Sequence, residues 1–399
     1  MSDSRDFFTQ AVHAGMDLPA SQGKPVSPSI HPAVTYTFDD MEDLSAALHE
    51  NRGYCYARYG SPTLSAMEKA VAELEGAEDA VAYASGMGAL HGAFAQAGIS
   101  VERPMLAARN IYGATDTLLR RMFSADRALH FVEISDGNAV KAAIESLRPR
   151  AVFLETISNP LLKIPDIPQI VEWAHQRDAV VIVDNTFATP YLYRPFHDGV
   201  DVVVHSATKY LGGHGDVLGG AAATDAKRAH ELRLQQRSYG ANLGPFEAWL
   251  VLRGIRTLPL RMREQCANAW RVALWLSEQA DISQVIYPGL PAHPDHHTAR
   301  RLFREAHFGG MVAFEIRNAG EAEVFRFMEA LRLIQAATSL GDVYSLLLYP
   351  AQSSHHALGR EERLRQGISD GLLRLSVGIE AAEDIIADLH QALNSLQSA

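Results

Sequence analysis

The stretch His205-Ser206-Ala207-Thr208-Lys209-Tyr210-Leu211-Gly212-Gly213 sets two hydroxyls, Ser206 and Thr208, at alternate positions just before a single lysine. The β-rich run Val200-Asp201-Val202-Val203-Val204 leads into it, and a glycine-rich segment follows as far as Gly220. A lysine at the end of a buried strand is costly to keep charged unless it is paired or reacts. Serine and threonine hydroxyls donate to an oxyanion such as a phosphate without adding charge. The chemistry that suits this spacing is a Schiff base between Lys209 and an aldehyde cofactor whose phosphate rests on Ser206 and Thr208. A surface lysine on a glycine-rich turn has the same local sequence, so these residues alone leave both readings open.

Other stretches carry compatible chemistry. Asp184 closes the near-continuous apolar run 179–184. A carboxylate at the carboxyl end of a buried parallel strand lies where α/β sheets place ligands, and it needs a cation or several donors to stay ionised. A protonated pyridine nitrogen would supply that cation; a helix-capping aspartate is the plainer alternative. The run 80–85 followed by Gly86-Met87-Gly88-Ala89 reads as a strand, a glycine turn and a helix N-terminus, whose free backbone N–H groups suit an anion. Tyr112 lies just past the strand 104–108, placed either to stack on a bound ring or to fill core. Arg374 interrupts the apolar run 372–377, where its charge needs a substrate carboxylate or an internal salt bridge. Segment 54–60 sets three tyrosines around Arg58. A guanidinium fork suits phosphate or carboxylate, although on its own this stretch reads better as an aromatic cluster packed on a neighbour.

The elements that must position these residues follow from composition and pattern. A chain of 399 residues, 47% hydrophobic and 21% charged, is long enough for two or three domains with a large core. Its net charge of -11 argues against nucleic-acid and acidic-membrane partners. No apolar run is long enough to span a bilayer, and Met1-Ser2-Asp3-Ser4-Arg5-Asp6 lacks a signal-peptide pattern. Two cysteines, Cys55 and Cys266, stand far apart, so a reducing compartment, the cytoplasm, is expected. His293, His296 and His297 fall on a proline-rich linker at mixed spacing without an acidic set, so no metal site is expected. Residues 1–60 read as an extended arm punctuated by Pro19, Pro25, Pro28 and Pro32, with one short helix over 41–50. An arm without its own core must lie on something, such as a second subunit.

Ser61 and Pro62 then cap and start a helix that Gly76 closes. The alternation from 62 to 225 predicts a mostly parallel sheet with helices on both faces. Beyond it, a helix over 261–278, strands 311–316 and 372–377, and a C-terminal helix with Ile385, Ile386, Leu389, Leu393 and Leu396 on one face predict a smaller α/β domain. The expected division is an arm over 1–60, a large ligand-binding domain over 61–255 and a C-terminal domain over 256–399.

Three motifs in chain order, Val183-Asp184-Asn185-Thr186-Phe187-Ala188-Thr189-Pro190, Ser206-Ala207-Thr208-Lys209-Tyr210-Leu211-Gly212-Gly213-His214 and Arg374-Leu375-Ser376-Val377-Gly378-Ile379-Glu380, resemble the Cys/Met-metabolism family. These are fold-type I enzymes dependent on pyridoxal 5'-phosphate, among them cystathionine γ-synthase, cystathionine γ-lyase and methionine γ-lyase. The resemblance spans nearly the whole chain. It implies that Lys209 carries the cofactor as a Schiff base, that Asp184 pairs with the ring nitrogen and that Tyr112 stacks on the ring. The phosphate would be bound by the backbone of Gly86 and Met87 and the side chains of Ser206 and Thr208. Tyr56 and Arg58 would reach the cofactor phosphate of a neighbouring subunit, in a homotetramer built from dimers that share active sites. Asn159 would lie near the phenolic oxygen, and Arg374 with the backbone at Ser339 would take the substrate carboxylate. A ring kept protonated by Asp184 is an electron sink. Lys209 could then move protons at the α, β and γ carbons of a small amino-acid substrate, and Tyr112 could protonate a leaving group.

Four positions bear on specificity. Ser61 stands where the family often has asparagine, and a capping role survives the change. Ala114 follows Tyr112-Gly113 where methionine γ-lyases place cysteine, which counts against methionine itself as substrate. Tyr344 replaces a glutamate common in relatives and is expected to shape the distal substrate pocket. Leu340 after Ser339, in place of a tryptophan, favours γ chemistry over β. The expected activity is γ-elimination on a γ-substituted L-amino acid of the methionine, cystathionine or homoserine-derivative type. The alternatives are γ-replacement, as in an O-acylhomoserine sulfhydrylase or cystathionine γ-synthase, and a catalytically silent cofactor-binding homologue. The intact set Lys209, Asp184, Tyr112 and Arg374 counts against the last.

Overall fold

The computed structural model describes residues 6–15, 26–50, 52–123, 128–305, 307–353, 356 and 359–397, so Pro19, Pro25 and positions 1–5 of the expected arm lie outside the described residues. Seven strands make a large sheet: β1 (Asp79–Tyr83), β2 (Met105–Ala108), β3 (Leu129–Val132), β4 (Ala151–Glu155), β5 (Val180–Asp184), β6 (Val202–His205) and β7 (Gly220–Thr224). Their order is β1-β7-β6-β5-β4-β2-β3. Pairing is parallel from β6 through β5, β4 and β2 to β3, while β7 runs antiparallel to both β1 and β6. The expected mostly parallel sheet is therefore present. Strands β2, β4, β6 and β7 are buried along their whole length, which is why they read as apolar runs rather than alternating ones. Strand β7 is an alanine run that begins at Gly220, where the glycine-rich segment ends. Register places Glu155 opposite Asp184 and Asp184 opposite Val204, so the carboxyl ends of β4, β5 and β6 stand level.

The helix Pro62–Glu75 starts as expected. Ser61 Oγ accepts from Leu64 N at 3.3 Å, and Gly76 ends the helix at φ 75°. A Cβ on Gly76 would fall 2.1 Å from His197 Nε2, so glycine is required there. One expectation needs correction, because the arm is not wholly extended ahead of residue 41. Phe7–His13 is a helix capped by Asp6, and it buries Phe7 and Ala11 against the body. Phe7 meets Tyr191 edge-on at 5.7 Å beneath the Arg194 guanidinium. Two apolar residues four apart on a seven-residue helix are too short a pattern to stand out from a polar N-terminus.

A second sheet holds β8 (Ile282–Ile286), β9 (Met311–Ile316), β10 (Gln335–Ala336), β11 (Leu346–Leu348) and β12 (Leu372–Ser376) in the order β10-β11-β12-β9-β8. It is antiparallel except for the β10–β11 pair. The helix Ala382–Gln397 lays Ile385, Leu389 and Leu393 on its core, with Ile386 and Leu396 at the margin. The long helix Leu258–Ser277 serves both cores. Leu258, Met262 and Cys266 join the larger, and Ala269, Val272, Ala273 and Leu276 the smaller. The proline-rich stretch after β8 is not a free linker, since Tyr287 and Leu290 are buried in the smaller core and Tyr287 Oη donates to Gly309 O at 3.1 Å. Among the described residues no helix is long and apolar enough to cross a membrane.

Candidate active site

A cleft of ≈ 430 Å³ opens at the carboxyl ends of β4, β5 and β6 and is closed on its far side by Thr338, Leu340, Leu348 and Arg374 of the smaller sheet's region. Lys209 sits in a tight turn just past β6, where Lys209 N donates to Ser206 O at 3.1 Å and Gly213 N to Lys209 O at 2.7 Å. Gly213 has φ 70°, and a Cβ there would run into the Arg261 guanidinium. This turn aims Lys209 Nζ at Ser339 Oγ, 3.0 Å away. Burial first, and the nearby Arg374 guanidinium second, hold the Lys209 amine below the usual lysine range, with Asp342 opposing them.

Beside it, two turns are pressed together. A Cβ on Gly86 would lie 2.8 Å from Ser206 Cβ, and one on Gly220 would meet the Ser85 carbonyl. Ser85 caps the helix Gly86–Gln96 by accepting from Gly88 N at 3.1 Å. The N–H groups of Gly86 and Met87 in that first turn have no intrahelical acceptor. Both residues line the cleft with Ser206 and Thr208. The Thr208 hydroxyl already donates to Gly219 O at 3.2 Å and accepts from Gly219 N at 3.0 Å, which locks the loop beside it.

Asp184 ends β5 facing the cleft. Its Oδ1 accepts from Thr186 N at 2.9 Å, and burial raises its pKa against the effect of Thr186 and His205. Beneath it lies a buried network that the sequence reading missed. His205 Nε2 is 2.6 Å from Glu75 Oε1, Asn185 Nδ2 donates to the same oxygen at 2.9 Å, and Thr156 Oγ1 donates to Asn185 Oδ1 at 2.7 Å. These contacts tie the ends of β4, β5 and β6 to the helix Pro62–Glu75. The polar residue that ends each apolar strand run was the available signal.

Arg374, on β12, is 2% exposed. Its Nη1 donates to Asn159 Oδ1 at 2.9 Å and its Nη2 to Ser339 O at 3.2 Å, while Nε has no partner. Burial lowers its pKa to about 10, opposed in part by Tyr210, Tyr112 and Glu155. Across the cleft Tyr112 is 43% exposed, and its backbone N–H donates to Glu155 Oε1 at 2.7 Å. Glu155 also lines the cleft and was read in the sequence only as a strand end. Burial, and then the adjoining Asp184 carboxylate, push its pKa well up.

Four named positions lie elsewhere. Tyr56 is 42% exposed and Arg58 Nη1 donates to Arg237 O at 2.9 Å; neither lines the cleft of its own chain. Tyr344 turns away from the cleft, donating to His214 O at 3.5 Å and covering Gly215, and Ala114 is likewise absent from the lining. Leu218, Leu340 and Leu348 line the cleft, and Tyr344 does not. Of the three histidines near 293, His296 donates from Nδ1 to Pro288 O at 2.9 Å, and no metal-binding group of His, Cys, Asp or Glu occurs among the described residues.

An amine of lowered basicity, a carboxylate facing the cavity, two orphan N–H groups and an open aromatic ring fit a planar heteroaromatic aldehyde that carries a phosphate. Comparison with known proteins agrees with that fit. Residues 8–394 match the family described as Cys/Met metabolism PLP-dependent enzyme. The chain is 40% identical over 387 residues to a cystathionine beta-lyase of Lactococcus lactis subsp. cremoris, covering 96% of this chain and 98% of that protein. It is 39% identical to an L-methionine gamma-lyase of Pseudomonas putida, covering 98% and 97%. Cystathionine gamma synthase from Xanthomonas oryzae pv. oryzae, solved in complex with cystathionine, superposes with a TM-score of 0.91 at 38% identity, covering 99% of this chain and 100% of that one.

Proposed function

The chain belongs to the Cys/Met-metabolism family of PLP-dependent enzymes, and from that premise we propose that it catalyses γ-elimination on a γ-substituted L-amino acid. In this reading Lys209, Asp184, Tyr112, Gly86, Met87, Ser206 and Thr208 hold the cofactor, and Arg374, Asn159 and Ser339 hold the substrate carboxylate. Bound there, pyridoxal phosphate supplies a protonated ring that draws electron density from the substrate's α carbon.

The remaining work falls to the chain's own side chains. Asp184 accepts from the ring nitrogen and keeps its proton in place. Arg374 grips the α-carboxylate with a guanidinium that has only neutral acceptors to give up. Lys209 Nζ takes a proton from the α carbon and shuttles protons at the β and γ carbons, its lowered pKa bringing it toward the working range of a base. Tyr112, at the open mouth, donates to the departing γ group. Overall, substrate and water give a 2-oxo acid, ammonia and the protonated leaving group. The observation that carries the reading is that Ser339 joins base to anchor, its Oγ accepting from Lys209 and its carbonyl from Arg374. An α carbon whose carboxylate lies on Arg374 is thereby brought beside Nζ. The apolar wall of Leu218, Leu340 and Leu348 suits a thioether side chain.

Two other reactions have specific support: γ-replacement from the likeness to the Xanthomonas synthase, and β-elimination from the likeness to the Lactococcus lyase. Product analysis separates the three. With cystathionine, γ-elimination gives a four-carbon oxo acid and cysteine, whereas β-elimination gives a three-carbon oxo acid and homocysteine. With O-acetylhomoserine and sulfide, homocysteine without oxo-acid release would sink the lyase reading in favour of replacement.

Tyr56 and Arg58 complete the proposal. Because neither reaches its own chain's cleft, we place them at the cofactor phosphate of a second copy, in a homotetramer of dimers that share sites. The division into an arm over 1–60, a cofactor domain over 61–255 and a C-terminal domain over 256–399 belongs to the same proposal.

A further inference from the structure

We propose that Glu155 is a positioning residue that sets Tyr112 and the carboxylate anchor Asn159–Arg374 at a fixed separation across the cleft. Each of its oxygens accepts one backbone N–H, from Tyr112 at 2.7 Å and from Asn159 at 3.1 Å. Asn159 Oδ1 accepts from Arg374 Nη1 at 2.9 Å, Arg374 Nη2 donates to Ser339 O at 3.2 Å, and Ser339 Oγ accepts from Lys209 Nζ at 3.0 Å. An unbroken series of contacts thus runs from Tyr112 to the proposed base Lys209, and Glu155 is the member that joins Tyr112 and the carboxylate anchor to the sheet.

The placement is otherwise unfavourable. Glu155 is buried and lies directly opposite Asp184 in the strand register, so two carboxylates are crowded into one low-dielectric site. Packing alone would be served as well by a neutral side chain of the same shape. Two converging amide donors are not, since a carboxyl group offers each of them an acceptor oxygen and an amide offers only one. A glutamine in its place turns an NH₂ toward one of the two N–H groups, and that buried N–H loses its partner. The inference rests on the cleft being an amino-acid site.

The test uses holoenzyme and compares wild type with Glu155→Gln, a change that preserves volume. Glycine lacks a γ leaving group, so its spectral titration reads carboxylate binding without elimination. Loss of the partner of a buried N–H corresponds to about 10- to 100-fold in an equilibrium constant. Glu155→Gln should therefore weaken glycine binding by about that factor, with the cofactor Kd of the apoenzyme within about threefold of wild type. Elimination should show both a raised KM and a lowered kcat, because Tyr112 and the carboxylate anchor both move. Asn159→Ala should raise KM, and the two effects on glycine affinity should be less than additive in the double variant. Should Glu155→Gln fail to fold, Glu155→Asp, whose shorter stem cannot reach both amides, must show the same separation of glycine from cofactor affinity. Glycine affinity at the wild-type level in the variant, or a cofactor affinity that falls as far as that for glycine, overturns the proposal. A wild type that binds cofactor and glycine yet releases no oxo acid fails the functional reading instead, and the glycine comparison still decides this one.

Discussion

Arg233 and Arg374 are both taken largely out of water, and the fold treats them in opposite ways. Arg233, on the helix Ala226–Tyr239, forks onto both oxygens of Asp79, reaches Glu68 Oε2 at 3.4 Å and donates to Ala80 O at 2.7 Å. Burial works against its charge, but the Asp79 hydrogen bonds and Glu68 more than offset it, and its pKa lies above the usual arginine value. Arg374 meets only an amide oxygen and a carbonyl, and burial prevails, bringing its pKa down to about 10. A charge that holds the fold together is closed on its counterions. Arg374, which we propose receives a ligand's carboxylate, is surrounded by neutral acceptors and keeps an unused donor, its Nε. The difference lies in the partners: Arg374 interrupts an apolar strand, whereas Arg233 sits on a helix rich in charged and polar residues.

The largest effect expected on the ligand-directed side is at the amine beside Arg374. Lys209→Ala should lower oxo-acid release by at least about 10³-fold and remove the absorbance of covalently held cofactor. Retention of that absorbance would place the covalent attachment elsewhere.

The arginines themselves give the sharpest contrast. Arg233→Met leaves Asp79 and Glu68 without their cation and should cost about 3 kcal/mol in urea unfolding, with KM little changed. Arg374→Met gives up two hydrogen bonds to neutral groups but also the burial of an uncompensated charge. Its stability should stay within about 1 kcal/mol of wild type, while KM for the amino acid rises about 100-fold. Equal losses of stability in the two variants would abolish the distinction.

What could be read in advance follows the same line. Lys209, Asp184 and Arg374 were legible because each places a charge at or within an apolar run, and a buried charge calls for a partner wherever the fold puts it. Glu155 ends an equally apolar run and went unread. Its meaning depends on Asp184 standing opposite and on two amides from residues 112 and 159, neither of which is a property of its own segment. The Glu75–His205 pair was hidden for the same reason, since its members are 130 positions apart. Tyr344 shows the converse error. The glutamate common at this position in relatives suggested a wall of the substrate pocket, but after Gly341 at φ 81° the chain carries the phenol toward His214 and Gly215.

The smallest effect tests whether Lys209 truly belongs with Arg374. In cofactor-free protein, Lys209→Met removes a half-buried ammonium whose hydrogen-bond acceptor is a neutral hydroxyl, and should raise stability by about 1 kcal/mol at pH 7. The sign of its pH dependence follows from the lowered pKa of the folded state. Between that value and the ordinary lysine value of about 10.4, the unfolded wild-type chain binds more protons than the folded one. Wild-type stability therefore gains on the variant as pH rises through that window, and the advantage of methionine should shrink. An advantage that stays flat up to about pH 10.4 would mean that Nζ is as well solvated in the fold as outside it. Lys209 would then share neither the compensated burial of Arg233 nor the uncompensated burial of Arg374, and its reactivity would have to come from the bound cofactor alone.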